Sequence, residues 1–397
     1  MILVWVIQMC IKRIVAFTGT RADYDLLSGL YKKINKEKDL ELKLVVSGSH
    51  LSSSYGNSVN EILKDEIPIL TRIENLLDSD KPSARVKSLS LLLQNSIHTI
   101  QDYNPDLIVV VGDREEVIVG TLIGSYLSIP TAHFFGGDHA SDGNVDNPIR
   151  HATSKLANIH FVTNEMSRKR LLRMGEEKNR IFNVGSPSLD RFKTVEKLDK
   201  PTLLKKMNLN GIERYALLIF HPILGDEINS GHYFQQILTT LEEKKIFTFV
   251  SYPNVDSGNK QIVDIIQSNK DNPNFFFYKN LDRDTFVNLF RNTDFLIGNS
   301  SAGIYEAPFL KIPVINVGKR QTGRYATNTT LFTDNKIEEI SNAIDKVQEK
   351  EFIRNVESIN SIYGDGESEE KILEILRSIE LQSYLYKEND PLEMNNE

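Results

Sequence analysis

Residues 13–35, RIVAFTGTRADYDLLSGLYKKIN, place an apolar strand pattern, a glycine turn and a helix pattern directly after one another. The β-branched and apolar run 13–18 predicts a strand. In 23–35 the apolar residues recur every three or four positions, which predicts a helix with one buried face. The residues on that face are Leu26, Leu27, Leu30, Tyr31 and Ile34. A strand, a tight turn and a helix in this order begin a βαβ unit, so the segment predicts an α/β domain with a parallel sheet.

The same alternation continues along the chain and starts again near residue 215. Short apolar runs without polar alternation are typical of strands that helices cover on both faces. We therefore predict an α/β protein with two Rossmann-like, doubly wound parallel-sheet domains, 1–200 and 201–397, that face a cleft. The boundary is expected in the charged stretch 193–211, and the last helix is expected to pack back on the first domain. The predicted strands are 13–18, 42–47, 107–111, 131–134, 159–162 and 181–184, then 215–220, 246–250, 275–278, 295–297 and 314–317.

Length and composition exclude several classes of protein. The chain has 397 residues, a net charge of −7 and one cysteine, Cys10. The acidic balance argues against general nucleic-acid binding, which needs basic surface. One cysteine excludes an internal disulfide framework and fits a cytoplasmic protein. The apolar start 1–10 lacks the marks of a signal peptide, so we expect an extension, with Met9 as a candidate start, and no membrane-spanning helix anywhere.

The densest group of titratable side chains lies in 132–161, AHFFGGDHASDGNVDNPIRHATSKLANIHF, which holds four of the eight histidines. Carboxylates and imidazoles transfer protons and bind sugar hydroxyls, so the pattern favours acid–base chemistry or a polyhydroxylated ligand. Neither HExxH nor a cysteine ligand occurs, and we expect no metal and no cofactor. For His160 we favour a structural role. The candidate proton-transfer residues here are His133, Asp138 and Asp146.

A second segment, 295–324, FLIGNSSAGIYEAPFLKIPVINVGKRQTGR, combines the features of a diphosphate site. Small residues after its strand let the backbone approach a phosphate closely. Serine hydroxyls can cap the next helix, and a glutamate one turn inside it can accept both hydroxyls of a ribose. Arginines after the following strand can close over phosphates. The candidate ligand contacts are Asn299, Ser300, Ser301, Glu306 and Arg320.

Two shorter motifs follow predicted strands. In FTGTRADYDLL, 17–27, a glycine turn offers backbone N–H groups and Arg21 to a phosphate, although a plain structural turn explains the pattern equally well. In VVVGDREE, 109–116, Asp113 is either the cap of the next helix or a carboxylate held at the ligand site. The two roles of Asp113 are compatible.

The motifs GTRADY, GDREE, GNVDNPIRHATSKLANIHF, FHP, YPNVDSG and GNSSAGIYEAP with GKRQTGR occur in this order over almost the whole chain. Together they resemble the hydrolysing UDP-N-acetylglucosamine 2-epimerases. The resemblance implies two Rossmann-like domains arranged as in GT-B glycosyltransferases. It also implies elimination of UDP and hydration of the glycal to N-acetylmannosamine, for the biosynthesis of sialic-acid-type sugars. Close relatives in this family act on a UDP- or GDP-linked 2,4-diacetamido-2,4,6-trideoxy sugar of the legionaminic acid route.

The resemblance also implies roles for individual residues. Asp113 and Asp146 match acidic residues implicated in proton transfer or in holding the sugar, and Arg114 accompanies them. His221 in FHP matches a histidine near the leaving diphosphate. The residues that match nucleotide contacts are Arg21, Ser300, Ser301 and Glu306, with Glu306 on the ribose, and we add Asn254 and Arg320 as ligand contacts.

One position departs from the family pattern. Many members carry a glutamate two residues after the histidine that is His133 here, and this chain has Phe135. A phenyl ring cannot transfer a proton, so Asp138 or a histidine must take over, or the chemistry is altered. We expect a changed sugar specificity rather than a loss of activity.

Two other classes stay open at this point. A GT-B glycosyltransferase would use the same nucleotide pocket but needs an acceptor groove, and a catalytically silent nucleotide-sugar binder would suit Phe135. A non-hydrolysing epimerase is the nearest alternative enzyme. The expected partners are a nucleotide-sugar substrate and further copies of the chain in a homodimer or homotetramer, with neither nucleic acid nor membrane.

Overall fold

The computed structural model describes residues 11–77, 79, 82–140, 145–223, 225–253, 258–279 and 281–390. These residues separate into two compact units. The first comprises those up to Asp138, Val145–Ser188 and those from Glu367 onward, and the second comprises His139, Ala140 and Leu189–Gly366. Each unit contains one parallel sheet and the helices that connect its strands. The predicted fold class, α/β with two Rossmann-like sheets, is confirmed.

The first unit holds a seven-stranded sheet. Its strands are β1 (Lys12–Thr18), β2 (Leu40–Ser47), β3 (Ile69–Ile73), β4 (Leu107–Val111), β5 (Thr131–Phe134), β6 (Ile159–Val162) and β7 (Ile181–Asn183). They pair in parallel in the order β3-β2-β1-β4-β5-β6-β7. Its helices are α1 (Arg21–Ile34), α2 (Val59–Lys64), α3 (Pro82–Tyr103), α4 (Glu115–Leu127), α5 (Asp146–Leu156) and α6 (Glu165–Arg173).

The second unit holds a six-stranded sheet. Its helices before that sheet are α7 (Arg191–Thr194) and α8 (Lys200–Lys206). Its strands are β8 (Ala216–Ile219), β9 (Thr248–Ser251), β10 (Phe275–Tyr278), β11 (Phe295–Gly298), β12 (Val314–Val317) and β13 (Thr330–Thr333). They pair in parallel in the order β10-β9-β8-β11-β12-β13. The remaining helices are α9 (Ser230–Glu243), α10 (Asn259–Ser268), α11 (Arg283–Arg291), α12 (Ala302–Tyr305), α13 (Ala307–Leu310), α14 (Ile337–Val347) and α15 (Lys350–Ser358).

Strand β4 shows why the central strands read as unbroken apolar runs. Successive side chains of a strand point to opposite faces of the sheet. Leu107, Val109 and Val111 therefore join the apolar core on one face, and Ile108 and Val110 join the core on the other. Because helices cover both faces, every residue of β4 is buried. Among the described helices, none is long and apolar enough to cross a membrane.

All the predicted strands are present, and the bounds of β4, β5, β6, β10 and β12 agree with the prediction residue for residue. Two further strands, β3 and β13, were missed. Both lie at sheet edges, and their side chains are partly exposed, with Phe332 half exposed at 50 %. Polar residues interrupt the apolar run in β3 (ILTRI) and β13 (TLFT), whereas the edge strand β10 (FFFY) keeps such a run and was predicted.

A last helix, α16 (Ser368–Ser378), belongs to the first unit. The Nζ of Lys12 in β1 donates to the carbonyls of Leu376 at 3.1 Å and Ile379 at 2.7 Å, which have no partner inside the helix end. The helix packs so closely on α1 that a Cβ on Gly29 would lie 1.9 Å from Oε1 of Glu369. The end of the described chain is therefore fixed to the sheet with which it begins.

The tail beyond α16 is held by a buried ionic cluster. Glu176 receives Lys155 at 2.7 Å, Lys387 at 2.6 Å and His160 Nε2 at 3.1 Å. Burial alone would raise the pKa of Glu176, but the hydrogen bond from His160 and the charge of Lys387 lower it to about 2. His160 is itself fully buried, and this contact supports the structural role predicted for it.

Gly298 at the end of β11 gives a test of this packing. Its φ is +129°, and a Cβ there would lie 2.1 Å from the carbonyl oxygen of Ile219. We expect Gly298→Ala to lower the free energy of unfolding by more than about 2 kcal/mol, because steric clash adds to backbone strain. Denaturant unfolding measures the loss.

The matched control for this variant is Gly211→Ala. Gly211 also has a positive φ, +76°, but no atom lies within 4 Å of the Cβ position among the described residues. Backbone strain alone should cost about 1 kcal/mol there. Equal losses for the two variants would show that the contact with Ile219 does not matter.

Candidate active site

In each sheet the chain first adds strands outward in one direction and then returns to the centre and adds strands in the other direction. One pair of neighbouring strands lies at the point of this reversal. These pairs are β1 with β4 and β8 with β11. Open α/β sheets bind ligands at the carboxyl ends of such strands. The predicted site residues that directly follow one of these four strands are Arg21, Asp113, Arg114, His221, Asn299, Ser300 and Ser301.

The turn after β1 is organised by Asp23 of α1. Its carboxylate accepts the backbone N–H groups of Gly19 at 2.9 Å and Thr20 at 3.0 Å. The expectation that this turn offers free N–H groups to a phosphate is therefore wrong for these two residues, because an internal carboxylate already occupies them. Arg21 opens the helix, and its Nε lies 3.2 Å from a carboxylate oxygen of Glu61.

Asp113, after β4, forms a salt bridge with Arg150 of α5. The guanidinium of Arg150 is almost fully buried, whereas 25 % of the Asp113 side chain is exposed. A buried guanidinium requires an anionic partner, so the pair fixes the carboxylate and leaves part of it open to solvent. Asp113 is not the cap of α4, since the N-cap residue is Arg114.

His133 of β5 connects the strand that carries Asp113 with the helix that carries Arg150. Its Nε2 lies 2.8 Å from the carbonyl oxygen of Gly112, and its Nδ1 lies 3.1 Å from Oγ of Ser154. Ser154 Oγ also lies 3.0 Å from the carbonyl oxygen of Arg150, which is the alternative acceptor for its one proton. Because the Gly112 carbonyl can only accept, Nε2 carries the proton. These contacts and the Asp113–Arg150 salt bridge close a ring, which we call the Asp113 ring.

The environment of His133 makes it a poor proton carrier. Burial lowers its pKa to about 3, although the hydrogen bond to Gly112 acts in the opposite direction. The imidazole is therefore neutral near pH 7, and both of its nitrogens have partners. This geometry favours a positioning role for His133 over the proton-transfer role predicted from the sequence.

Asp146 is the first residue of α5, and Arg85 of α3 holds it at 2.7 Å. Arg85 also forms a salt bridge with Glu115 in the first turn of α4. One arginine therefore connects the start of α4, directly after Asp113, with the start of α5. No motif in the sequence pointed to Arg85.

The turn after β5 explains the departure at Phe135. Phe135 adopts a φ of +63°, and its ring is buried in the core of the first unit. Gly137 also has a positive φ, +73°, and a Cβ there would lie 2.4 Å from the carbonyl oxygen of Ser167. The turn leads into Asp138, whose side chain is buried. Phe135 thus serves packing, and the next acidic group of this loop is Asp138.

Glu116 is a residue of this region that sequence reasoning missed. Its carboxyl group lies against Gly19, where a Cβ would be 1.8 Å from Oε1 of Glu116. The side chain therefore occupies the position between the ends of β1 and β4. Burial and then the charge of Asp23 raise the pKa of Glu116 to about 7. The second glutamate of GDREE, three residues after Asp113, was the available signal.

In the second unit, fully buried Asn299 joins the ends of β8 and β11. Its side-chain oxygen accepts the backbone N–H of His221 at 2.8 Å, and its side-chain nitrogen donates to the His221 carbonyl at 2.8 Å. The backbone carbonyl of Asn299 accepts Arg320 at 3.2 Å and Gln321 at 2.9 Å. Three of the predicted residues, His221, Asn299 and Arg320, are thus brought together.

The segment after Asn299 differs from the prediction in one respect. Ser300 Oγ accepts the backbone N–H of Ala302 at 3.3 Å, and Ser301 is the N-cap residue of α12. Glu306 does not lie inside one helix but between the four-residue helices α12 and α13. Pro308 accounts for this break, because proline has no N–H and its ring clashes with the carbonyl four residues earlier.

Asn254, one of the predicted ligand contacts, lies outside the described residues. Within the part of the chain that the structure describes, no three His, Cys, Asp or Glu side chains are grouped so that they can hold a metal ion.

The family model described as UDP-N-acetylglucosamine 2-epimerase matches residues 32–377. The chain belongs to this family. The resemblance that the motifs carry is thereby confirmed, and the protein is a nucleotide-sugar 2-epimerase.

Individual relatives of this epimerase point to the same chemistry. It is 32 % identical to the UDP-N,N'-diacetylbacillosamine 2-epimerase (hydrolyzing) of Legionella pneumophila, over 94 % of this chain and 98 % of that protein. It is 33 % identical to a UDP-N-acetylglucosamine 2-epimerase of Neisseria meningitidis, over 84 % of this chain and 86 % of the relative. A crystal structure of the UDP-GlcNAc 2-epimerase from Neisseria meningitidis bound to UDP-GlcNAc has a TM-score of 0.75 at 17 % identity, covering 92 % of this chain and 100 % of that one. At that identity the structural likeness shows the fold.

Glu116→Gln tests the buried carboxyl group of this epimerase. The folded-state pKa is raised, so the protonated carboxyl stabilises the fold fully below about pH 4.5 and this stability is lost as the pH rises through about 7. Glutamine stays neutral throughout. Between about pH 5 and pH 8 the variant should gain on the order of 3 kcal/mol of unfolding free energy relative to the parent.

Denaturant unfolding at several pH values measures this difference. Glu374→Gln, at an exposed position on α16, controls for the removal of one negative charge. Parallel stability curves for the Glu116→Gln variant and the parent protein would contradict a neutral carboxyl at Glu116.

Proposed function

We propose that this epimerase is hydrolysing, that it eliminates UDP from UDP-N-acetylglucosamine, and that it hydrates the glycal to N-acetylmannosamine. The Asp113 ring carries the proposal, because it fixes a partly exposed carboxylate at the β1–β4 strand ends of a family member. A carboxylate held in one orientation is suited to proton transfer at a bound sugar.

The reaction consists of two steps. In the first, the C2 proton is removed and the bond between C1 and the diphosphate oxygen breaks, so that its electron pair leaves with UDP. In the second, water adds its hydroxyl group to C1 of the glycal. A proton is delivered to C2 on the face opposite to the one from which the C2 proton was removed. The steps require a base, an acid and stabilisation of the departing diphosphate.

We assign the proton transfers to three carboxylates of the first unit, Asp113, Asp138 and Asp146. Asp113 and Asp146 each have an arginine partner and keep part of the side chain exposed, 25 % and 19 %. Asp138 is the buried acid at the end of the β5 turn. His133 acts in this assignment through the Asp113 ring, as a positioning residue.

The second unit supplies the leaving-group contacts in this proposal. The hydrogen bonds around Asn299 support it, because they fix His221 and Arg320 at the carboxyl ends of β8 and β11. Glu306 is assigned to the ribose hydroxyls. The residues assigned to the diphosphate are Arg21, His221, Ser300, Ser301 and Arg320.

A second candidate substrate is a UDP- or GDP-linked 2,4-diacetamido-2,4,6-trideoxy sugar. Relatives that cover 94 % and 95 % of this chain, from Legionella pneumophila and Campylobacter jejuni, are named for N,N'-diacetylbacillosamine. The same elimination and hydration apply to this sugar. The two candidates differ in the groups at C4 and C6, remote from the bond that breaks.

Proton NMR in deuterated water tests the reaction and the substrate together. Incubation with UDP-N-acetylglucosamine should give UDP and N-acetylmannosamine deuterated at C2. If UDP-N-acetylglucosamine stays intact and the nucleotide-linked diacetamido sugar is turned over, the second sugar is the substrate. Absence of turnover with both would contradict the proposed reaction.

Asp113→Asn should reduce turnover by at least about 100-fold, because an amide cannot exchange the proton that a carboxylate does. UDP affinity should change by less than about threefold, since Asp113 is not among the proposed nucleotide contacts. Steady-state rates and calorimetric UDP titration measure the two effects.

The control is Asp39→Asn, which removes a carboxylate that pairs with Arg377 before β2, at the amino end of the strands. It should leave turnover unchanged. If Asp113→Asn retains more than about a tenth of the parent rate, Asp113 is not a proton-transfer residue.

A further inference from the structure

Glu306 and Arg191 form an ion pair in the second unit, although 115 residues separate them in the sequence. Nη2 of Arg191 lies 3.1 Å from Oε1 of Glu306, and only 8 % of the glutamate side chain and 18 % of the arginine side chain are exposed. No motif of the sequence pointed to Arg191.

Arg191 extends from a firmly anchored turn. It is the first residue of α7, and the side chain of the next residue, Phe192, is buried against Phe290 with ring centroids 5.9 Å apart. The guanidinium also lies 5.2 Å from the ring centre of Phe192 and 5.9 Å from that of Phe286. Contacts of a guanidinium with aromatic rings limit its orientation. Arg191 therefore presents its charge to Glu306 from a nearly fixed position.

The main chain of Glu306 is fixed by hydrogen bonds, and its charged side chain is largely buried. Its backbone N–H donates to the carbonyl of Ala302 at 3.0 Å, and its carbonyl accepts from Leu310 at 3.1 Å. A carboxylate that is largely removed from water is unfavourable unless a cation compensates it. Removal of Arg191 would take away this charge compensation, and so would favour uptake of a proton by Glu306 or rotation of its side chain out of its present position. Either change would weaken an acceptor for sugar hydroxyls, since charged acceptors form the stronger hydrogen bonds.

We propose that Arg191 is a positioning residue of the nucleotide site, which holds the Glu306 carboxylate charged and oriented for the ribose hydroxyls of the leaving nucleotide. This inference rests on the proposed function, in which Glu306 binds the ribose. Arg191 itself makes no ligand contact in this scheme. Its effect on the ligand passes entirely through Glu306.

The test compares UDP with 2'-deoxy-UDP as probes, by calorimetric titration of the full chain. In the parent protein, loss of the 2'-hydroxyl should weaken binding at least about tenfold, the range of a charge-assisted hydrogen bond. In Arg191→Met this penalty should fall below about threefold, as it should in Glu306→Gln. The double variant should bind UDP as Glu306→Gln does, because the two residues act as one unit.

Arg191→Lys and Arg214→Met complete the set. Lysine keeps the charge but lacks the planar fork, so the penalty for 2'-deoxy-UDP should be intermediate, and this variant covers the case in which Arg191→Met does not fold. Arg214 pairs with Asp294 before β8, at the amino end of the same sheet. Its replacement by methionine should leave the penalty at the parent value.

Three results would overturn the inference. Equal weakening of UDP and 2'-deoxy-UDP in the Arg191 variants would indicate a general structural role. Additive losses in the double variant would indicate that Arg191 contacts the ligand directly. An unchanged 2'-hydroxyl penalty in both Arg191 variants would show that Glu306 does not need Arg191.

The proposed function fails in a different way. If the parent protein does not bind UDP, the nucleotide assignment itself is wrong and the role of Arg191 falls with it. If the parent binds UDP and 2'-deoxy-UDP equally well, Glu306 is not the ribose contact. Both of these results are seen in the parent protein itself. They therefore differ from the result that overturns the inference, in which the parent loses affinity for 2'-deoxy-UDP and the Arg191 variants lose it to the same extent.

Discussion

Parallel pairing of all the described strands is the constraint on which the candidate site residues of each unit depend. It places every carboxyl end at one edge of a sheet, and the reversal of winding leaves two of those ends side by side. Residues far apart in sequence thereby meet, such as Gly19 with Glu116 and His221 with Asn299. The crowding requires glycine at position 298, where a Cβ would lie 2.1 Å from the backbone carbonyl oxygen of Ile219, whereas a Cβ at Gly19 would displace the carboxyl group of Glu116, whose Oε1 would be 1.8 Å away.

Both units place candidate site carboxylates next to apolar cores, and in both an arginine compensates the negative charge. Arg150 accompanies Asp113, and Arg191 accompanies Glu306. Glu116 is the exception, since its Oε2 has no hydrogen-bond partner among the described residues. Its pKa of about 7 shows the alternative solution, in which a buried acid avoids the cost of an uncompensated charge by keeping its proton.

The sequence predicts those parts of the fold that local pattern determines. The central strand β4 is a continuous apolar run and was predicted in full, whereas the partly exposed edge strands β3 and β13 were not. Motifs identified Asp113 and Asn299 as candidates because these residues directly follow central strands. They could not identify Arg150 as the partner of Asp113 or Arg191 as the partner of Glu306. Such pairings depend on the tertiary structure and produce no periodic pattern in the sequence. The carboxylate of Asp23 on the β1 turn is a different case, because it forms a capping box with Thr20, a local pattern that was not used in the prediction.

The departure at Phe135 connects this packing with the proposed chemistry. A bulky residue at a φ of +63° stores backbone strain, of the order of 1–2 kcal/mol, which a glutamate at the same position would also carry. Burial of the phenyl ring in the core of the first unit offsets this cost, so the turn keeps its shape without an acidic side chain. Because the turn persists, Asp138 still follows Gly137 at the end of β5. In our proposal, the proton transfers therefore rest on Asp113, Asp138 and Asp146, and the ring of Phe135 maintains the loop that positions one of them.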